Sequence, residues 1–160
     1  MPPVQYDIKA GAPNRISLRD LSQCMRIIKA GDAVDPDSSA LEIPRAQVLA
    51  IASTGKLIVG VGAIKRPRPK YSLEIAERSG VPFDPNTPEL GYVAVDKKHR
   101  GQRLSGRIVK ELLSSFEGAL FATTSSERMK KTLAQAGFVQ KGSEWNGRKN
   151  QELSLWIKEK

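Results

Sequence analysis

Hydrophobic positions along the chain recur with a period of two in some stretches and of three to four in others, and the alternation predicts an order of elements. Val4 to Lys9 alternates as a short strand. From Ser17 the period lengthens: Leu18, Leu21, Met25 and Ile28 share one face of a helix that Gly31 ends. Gln47–Ser53 and Lys56–Lys65 are β-like runs separated by Ser-Thr-Gly, the pattern of an antiparallel hairpin. Residues 66–88 interrupt the pattern and hold five of the ten prolines. Within them a short helix is expected, capped by Ser72, apolar at Leu73, Ile75 and Ala76, and ended by Gly80. An insertion of this length is a lid, a mobile loop or a structural decoration.

Glu89–Val95 reads as a strand, followed by the polar turn DKKHRGQR. Leu104, Ile108, Leu112 and Phe116, spaced by four, predict a helix over 104–117. Ala119–Thr123 is a further strand, and a helix from Ser126 to Gly137 buries Met129, Leu133 and Ala136. Phe138–Lys141 and Gln151–Ile157 are closing strands joined across Asn146-Gly147, with Trp145 and Trp156 covering them. Strands and helices alternate in a mixed α/β order.

Composition narrows the class. A chain of 160 residues, 39% hydrophobic and 27% charged, suits one domain over 1–160 with its own core. Its longest apolar run, Val48–Ala52, is far short of the ~20 residues of a membrane span. The opening MPPVQYDIK has neither a signal-peptide core nor a transit-peptide pattern, so a cytoplasmic protein is expected. One cysteine, Cys24, and one histidine, His99, exclude an internal disulfide and argue against a metal site. Cys24 sits near the buried stripe of the first helix and reads as packing.

Charge then points to particular segments. The net charge is +9, and six cations fall within 96–110: Lys97, Lys98, Arg100, Arg103, Arg107 and Lys110. KRPRPK at 65–70 is a second basic run, whereas 31–44 holds Asp32, Asp35, Asp37 and Glu42 with a single cation-free stretch ahead of Arg45. Such excess attracts an anionic partner, although any one run is ordinarily solvated surface.

Arg100-Gly101-Gln102-Arg103-Leu104-Ser105-Gly106 stands where a strand passes through a basic turn into a helix. The first turn of a helix offers unpaired N–H groups and the positive end of its dipole, a suitable seat for phosphate. It is neither a P-loop nor a GxGxxG fingerprint. With ELGYVAVDKKHRGQRLSGRIVKELL at 89–113 and TLAQAGF at 132–138, the sequence resembles the GNAT acetyltransferase superfamily.

The resemblance implies a GNAT-like α/β domain: a mixed, mostly antiparallel sheet of about six to seven strands flanked by about four helices. It implies acetyl-CoA as the acyl donor, with coenzyme A released, and direct attack of a primary amine on the thioester. Val93, Ala94 and Val95 would run beside the pantetheine arm. Backbone groups of Arg100, Gly101, Gln102, Arg103, Leu104, Ser105 and Gly106 would hold the pyrophosphate, with Lys97, Lys98 or Arg107 near the nucleotide phosphates. The N–H of Val93 or Ala94 would polarise the thioester carbonyl, and Glu89, eleven residues before Arg100, would take the amine proton. The alternative for Glu89 is an exposed residue at a strand start.

The sequence departs from the family pattern at three places. Arg103 and Ser105 replace the last glycine of [RQ]-x-x-G and the Gly/Ala that follows it, so Arg103 must keep φ negative or accept strain. Leu133 stands where many members have a tyrosine acid, and Ser126 where many have an asparagine; Ser126 also reads as a helix N-cap. The acidic stretch 31–42 favours a cationic acceptor such as a polyamine or a lysine side chain, or is a solvated loop. His99 is a solvated loop residue or a phosphate contact, and Tyr71 and Tyr92 are candidate acids with packing or loop anchoring as the default reading. Two other readings remain: a catalytically weak CoA-binding protein on the same fold, and a nucleic-acid-associated protein, less favoured because aromatics are only 6% and none interleaves KRPRPK. The oligomeric state is open between monomer and homodimer.

Overall fold

A computed structural model describes residues 4–14, 16–30 and 42–160. Seven strands, β1 (Asp7–Gly11), β2 (Val48–Thr54), β3 (Leu57–Lys65), β4 (Glu89–Val95), β5 (Leu120–Thr124), β6 (Val139–Asn146) and β7 (Glu152–Lys158), follow the sheet order β1-β2-β3-β4-β5-β7-β6. Among the described residues four α-helices accompany them: α1 (Leu18–Ala30), α2 (Pro69–Ser79), α3 (Leu104–Ser114) and α4 (Glu127–Gln135). The mixed, mostly antiparallel sheet expected from the resemblance is present. The contacts divide the chain into two compact units, Met1–Lys65 with Tyr92–Phe116, and Arg66–Gly91 with Glu117–Lys160.

In the first unit β1, β2 and β3 pair antiparallel, with Lys9 opposite Ile51 and Ile51 opposite Val61. The 47–65 hairpin therefore forms as the alternation predicts. β1 begins three residues later than expected and extends to Gly11. The buried face of α1 includes the expected Ile28, with Leu21 and Met25 packed against the core, and adds Cys24 and Ile27; only Leu18, 83% exposed, falls outside it. The core of this unit joins Cys24, Ile27 and Ile28 to Ile43, Leu49, Ile58, Val61, Ala63 and Tyr92. Helix α3 lies close on β3 because Gly60 and Gly62 carry no side chains; a Cβ on Gly62 would stand 2.6 Å from Ile108 Cγ2. α3 stops at Ser114, three residues short of the expected end, and Phe116 is only half-buried in the turn that follows.

In the second unit β5 and β6 flank β7, both antiparallel to it, and β5 meets β4 in parallel at Glu89↔Phe121. Ile75, Phe121, Leu155 and Ile157 form its core, with Tyr71, Val81, Phe83 and Trp145 packed against them. The insertion at 66–88 is thus part of a core. Its helix starts before Ser72, with Arg68 at the N-cap and Pro69 in the first turn, and Gly80 closes it in the left-handed conformation as expected. Ser72 instead lies inside α2, buried, with its hydroxyl unpaired. β6 runs on to Asn146 through a register shift between Lys141 and Trp145, longer than the expected 138–141. In α4 Leu133 is buried, whereas Met129 and Ala136 are half-buried. Trp156 is buried in β7, where its indole N–H donates to Ser154 Oγ and that hydroxyl donates to the Thr124 carbonyl.

Candidate functional site

In the first unit the anion-binding candidate is built on the end of β4, a turn and the start of α3. Val93 and Ala94 are half-buried and Val95 is buried; the Asp96 N–H donates to the Val59 carbonyl at 2.8 Å, closing the strand end. A single 3-10 turn, Lys97–His99, follows and is capped by Asp96, whose Oδ1 accepts from the Lys98 N–H at 3.1 Å. Arg26 donates to the other oxygen, Oδ2, at 3.4 Å. The Lys98 N–H, with further help from Arg26 and the charge of His99, holds the Asp96 carboxyl below the usual aspartate range against a smaller opposing effect of burial.

Arg100 turns back over this strand end, its Nε donating to the Val95 carbonyl at 3.4 Å. Gly101 sits at φ 85 and Arg103 at φ 58, so the turn makes two left-handed steps before the helix. Of the two options for Arg103 the chain takes the strained one, which for a residue with a Cβ costs about 1–2 kcal/mol. Gly101, Gln102, Arg103 and Gly106 are exposed and Ser105 half-exposed, while Leu104 is buried. Leu104 therefore anchors α3 by its side chain. The first turn of α3 has no side-chain cap from Arg103 and no acidic residue, and nothing lies within 4 Å of a Cβ built on Gly101 or Gly106. Its N–H groups and positive dipole end suit an anion, with Arg103 and Arg107 exposed beside them. The residues fit a phosphate-bearing cofactor.

Tyr92 marks the point in β4 where this part begins. Its φ is 56, a conformation rare for a bulky side chain within a strand, and its ring is buried. The ring carries the Lys65 ammonium 4.1 Å above its centroid, and the hydroxyl donates to the Glu42 carboxylate. The default reading of Tyr92 as packing misses this strain, because no sequence feature marks it. Of the acidic stretch, Asp32, Asp35 and Asp37 lie outside the described residues, and Glu42 is engaged by Tyr92. His99 is half-buried and hydrogen-bonded through Nδ1 to the Tyr6 hydroxyl at 2.9 Å, with the two rings edge to face, so it is not simply a solvated loop residue. Cys24 is fully buried, and burial, with the nearby Asp20 charge, pushes its thiol up to about 11.

The second unit holds the other candidate. Glu89 is 6% exposed, not the exposed strand-start residue of the alternative reading. Its Oε1 accepts from Arg68 Nη2 at 3.3 Å. The guanidinium of Arg68 stacks over Tyr71 at 4.2 Å, and Tyr71 tilts against Phe121, the residue that pairs with Glu89 across the parallel strands. Burial, and then the charge of Glu89, push the Tyr71 hydroxyl well above the ordinary tyrosine range, with the Thr123 hydrogen bond and Arg68 opposing. The sequence offered Arg68 only within the basic run KRPRPK and Tyr71 as a candidate acid with packing as its default; what it did not show is that the two come together at Glu89. Ser126 is exposed and caps α4, its Oγ accepting from the Met129 N–H at 3.2 Å.

No protein-family model matches the chain, and no curated protein matches it in sequence. Solved structures do match. An acetyltransferase of the GNAT family from Streptococcus agalactiae superposes with a TM-score of 0.70 over 97% of this chain and 95% of its own, at 12% identity. The fold is that of the GNAT acetyltransferases. The ribosomal-protein-alanine N-acetyltransferase of Brucella melitensis superposes with a TM-score of 0.68 at 16% identity, covering 96% of this chain and 99% of that one. FeeM, an N-acyl amino acid synthase from uncultured soil microbes, gives 0.67 at 16% identity over 97% and 91%. At these identities the likeness to GNAT structures is one of fold. Among the described residues no helix is long and apolar enough to cross a membrane.

Proposed function

We propose that the protein is an acyl-CoA-dependent N-acyltransferase that moves an acetyl group to a primary amine. The observation that carries this reading is the turn at 100–106: two left-handed steps, an uncapped helix start free of acidic residues, and exposed cations, on a chain with the GNAT fold. The backbone N–H groups of Gly101 to Gly106 hold the pyrophosphate, Arg103 and Arg107 add charge, and Val93–Val95 run beside the pantetheine arm. Bound acetyl-CoA supplies an activated thioester.

Glu89 takes the proton of the acceptor ammonium, directly or through a water, and so frees the nitrogen lone pair. The Val93 or Ala94 N–H donates to the thioester oxygen as negative charge develops there. An N–C bond forms, the C–S bond breaks, and coenzyme A leaves with the sulfur electron pair, while the second proton shed by the acylated nitrogen passes to the departing sulfur or to solvent. The proton accepted by Glu89 passes to solvent. A cytoplasmic location belongs to the same reading.

Leu133, fully buried, has no proton to give a departing thiolate. That favours a second reading, a protein that binds acyl-CoA and turns it over weakly. The nucleic-acid reading is weaker: within KRPRPK, Arg68 pairs with Glu89 and Lys65 covers the Tyr92 ring. Calorimetric titration with acetyl-CoA, followed by an amine panel read through thiol release, separates the readings. Saturable binding with amine-dependent thiol release supports the transferase, binding without release the second reading, and no binding removes both.

A further inference from the structure

Beside the phosphate turn, the first unit has a cleft of about 380 Å³ between the start of β1 and the second turn of α3. Tyr6, Asp7, Ile8, Arg107, Lys110 and Glu111 line it. Its volume lies in the range of small-molecule sites, and its lining combines three chemistries. Arg107 and Lys110, three residues apart on one helix face, are both exposed, and among the described residues neither takes part in an ion pair. Asp7 and Glu111 add two carboxylates; Asp7 lies 3.6 Å from the Lys9 ammonium, an exposed pair of little strength. Tyr6 and Ile8, both half-buried, supply apolar surface. The Tyr6 hydroxyl is held by His99 Nδ1 at 2.9 Å with the two rings edge to face, so Tyr6 offers a ligand a ring in a fixed orientation.

A bare phosphate would use the two cations and meet two carboxylates with no donor of its own. A polycation would meet Arg107 and Lys110. A phosphorylated nucleoside answers every part of the lining. Its base has a π-face for Tyr6 and Ile8, its sugar hydroxyls and amino groups donate to Asp7 and Glu111, and its phosphate pairs with Arg107 and Lys110.

We propose that this cleft is a second binding site, for a nucleoside monophosphate, separate from the cofactor turn. The free N–H groups at the start of α3 point along the helix axis beyond its first residue, whereas the cleft opens on the side of the helix, against β1. Arg107 is the one residue common to both. The proposal goes beyond the acyltransferase reading and does not depend on it.

The test is calorimetric titration of AMP into the full chain, alone and with coenzyme A in excess. Adenosine and inorganic phosphate are titrated as the two halves of the ligand. AMP is expected to bind at one site at least about tenfold more tightly than either half, the scale of one charge-assisted contact, and to keep binding with coenzyme A present. Lys110→Gln is expected to weaken AMP about tenfold, whereas Lys56→Gln, an exposed lysine in the turn between β2 and β3, is expected to leave it unchanged. Melting curves check that both variants fold; if Lys110→Gln does not, the wild-type ligand series decides alone. No AMP binding at tens of millimolar, equal binding of inorganic phosphate, or an equal effect of the two lysine variants overturns the proposal. So does complete displacement of AMP by coenzyme A, which would make the cleft part of the cofactor site. If coenzyme A itself does not bind, the acyltransferase reading fails, while AMP binding that depends on Lys110 still supports the second site.

Discussion

Arg68 Nη2 donates to Glu89 Oε1 across 3.3 Å, so the cation balancing a buried carboxylate comes from a segment whose prolines set it apart from the surrounding pattern. A carboxylate this deep is retained only with such a partner, because an uncompensated buried charge is costly. The same pair connects the insertion at 66–88 to the first residue of β4 and makes it part of the candidate chemistry.

The first prediction concerns Glu89. Glu89→Gln keeps the shape and removes the proton acceptor, so turnover with the true amine is expected to fall about 10²–10⁴-fold. Acetyl-CoA affinity is expected to stay near wild type, since no cofactor contact is assigned to this side chain. Thiol release and calorimetry on one preparation check both; unchanged turnover takes Glu89 out of the mechanism.

Arg103 holds φ at 58 at the start of α3. Arg103→Gly relieves a strain of about 1–2 kcal/mol and returns part of it through the larger backbone entropy of glycine. The variant is expected to gain roughly 0.5–1 kcal/mol in urea unfolding. If, as proposed, the backbone and not this side chain forms the cradle, acetyl-CoA binding is expected to persist, weakened only by the loss of one exposed charge.

Gly142 allows β6 to pass close to the end of α2. A Cβ there would stand 2.4 Å from the Ser79 carbonyl oxygen and 2.6 Å from Val81 Cγ2, at a φ of 74. Gly142→Ala combines overpacking with a left-handed alanine, for an expected loss of about 2–4 kcal/mol in chemical denaturation. A neutral result would mean that the insertion docks elsewhere.

Asp96 provides a pH test of the phosphate turn. Its carboxyl is held below the ordinary aspartate value of about 3.9, chiefly by the Lys98 N–H. A carboxyl depressed in the folded state stabilises the protein above its unfolded value and loses that contribution as pH falls through the folded one. Wild type is therefore expected to lose stability, relative to Asp96→Asn, as pH drops below about 4. Parallel pH–stability curves for the two proteins would contradict the cap.

Much of the fold was legible because its signals are local. The 47–65 hairpin, the strand at 89–95 and the start of α3 follow directly from hydrophobic period and turn residues. On α1 only Leu18 is misassigned: it lies outside the arc that Leu21, Cys24, Met25, Ile27 and Ile28 turn to the core, and that arc is fixed by packing rather than by period alone. The full length of β6 was hidden because the strand pattern is interrupted after Lys141, where the folded chain makes a register shift with Gly142 pressed against the end of α2. The glycine–arginine turn was visible as a motif. The ion pair at Glu89 was not, since its partner lies twenty-one residues away in a segment with no periodic pattern. Nor was the left-handed conformation of Tyr92, whose side chain contacts Glu42 and Lys65, distant in sequence.

The central claim is that the turn at 100–106 seats an acyl-CoA. Calorimetric titration of acetyl-CoA into the full chain, paired with melting at saturating ligand, tests it most directly. One-site binding is expected, with a stabilisation of about 2.7 kcal/mol at a hundredfold excess over Kd. Absence of heat and of any melting shift at millimolar acetyl-CoA would contradict the account, leaving a GNAT fold whose basic turn serves some other anion.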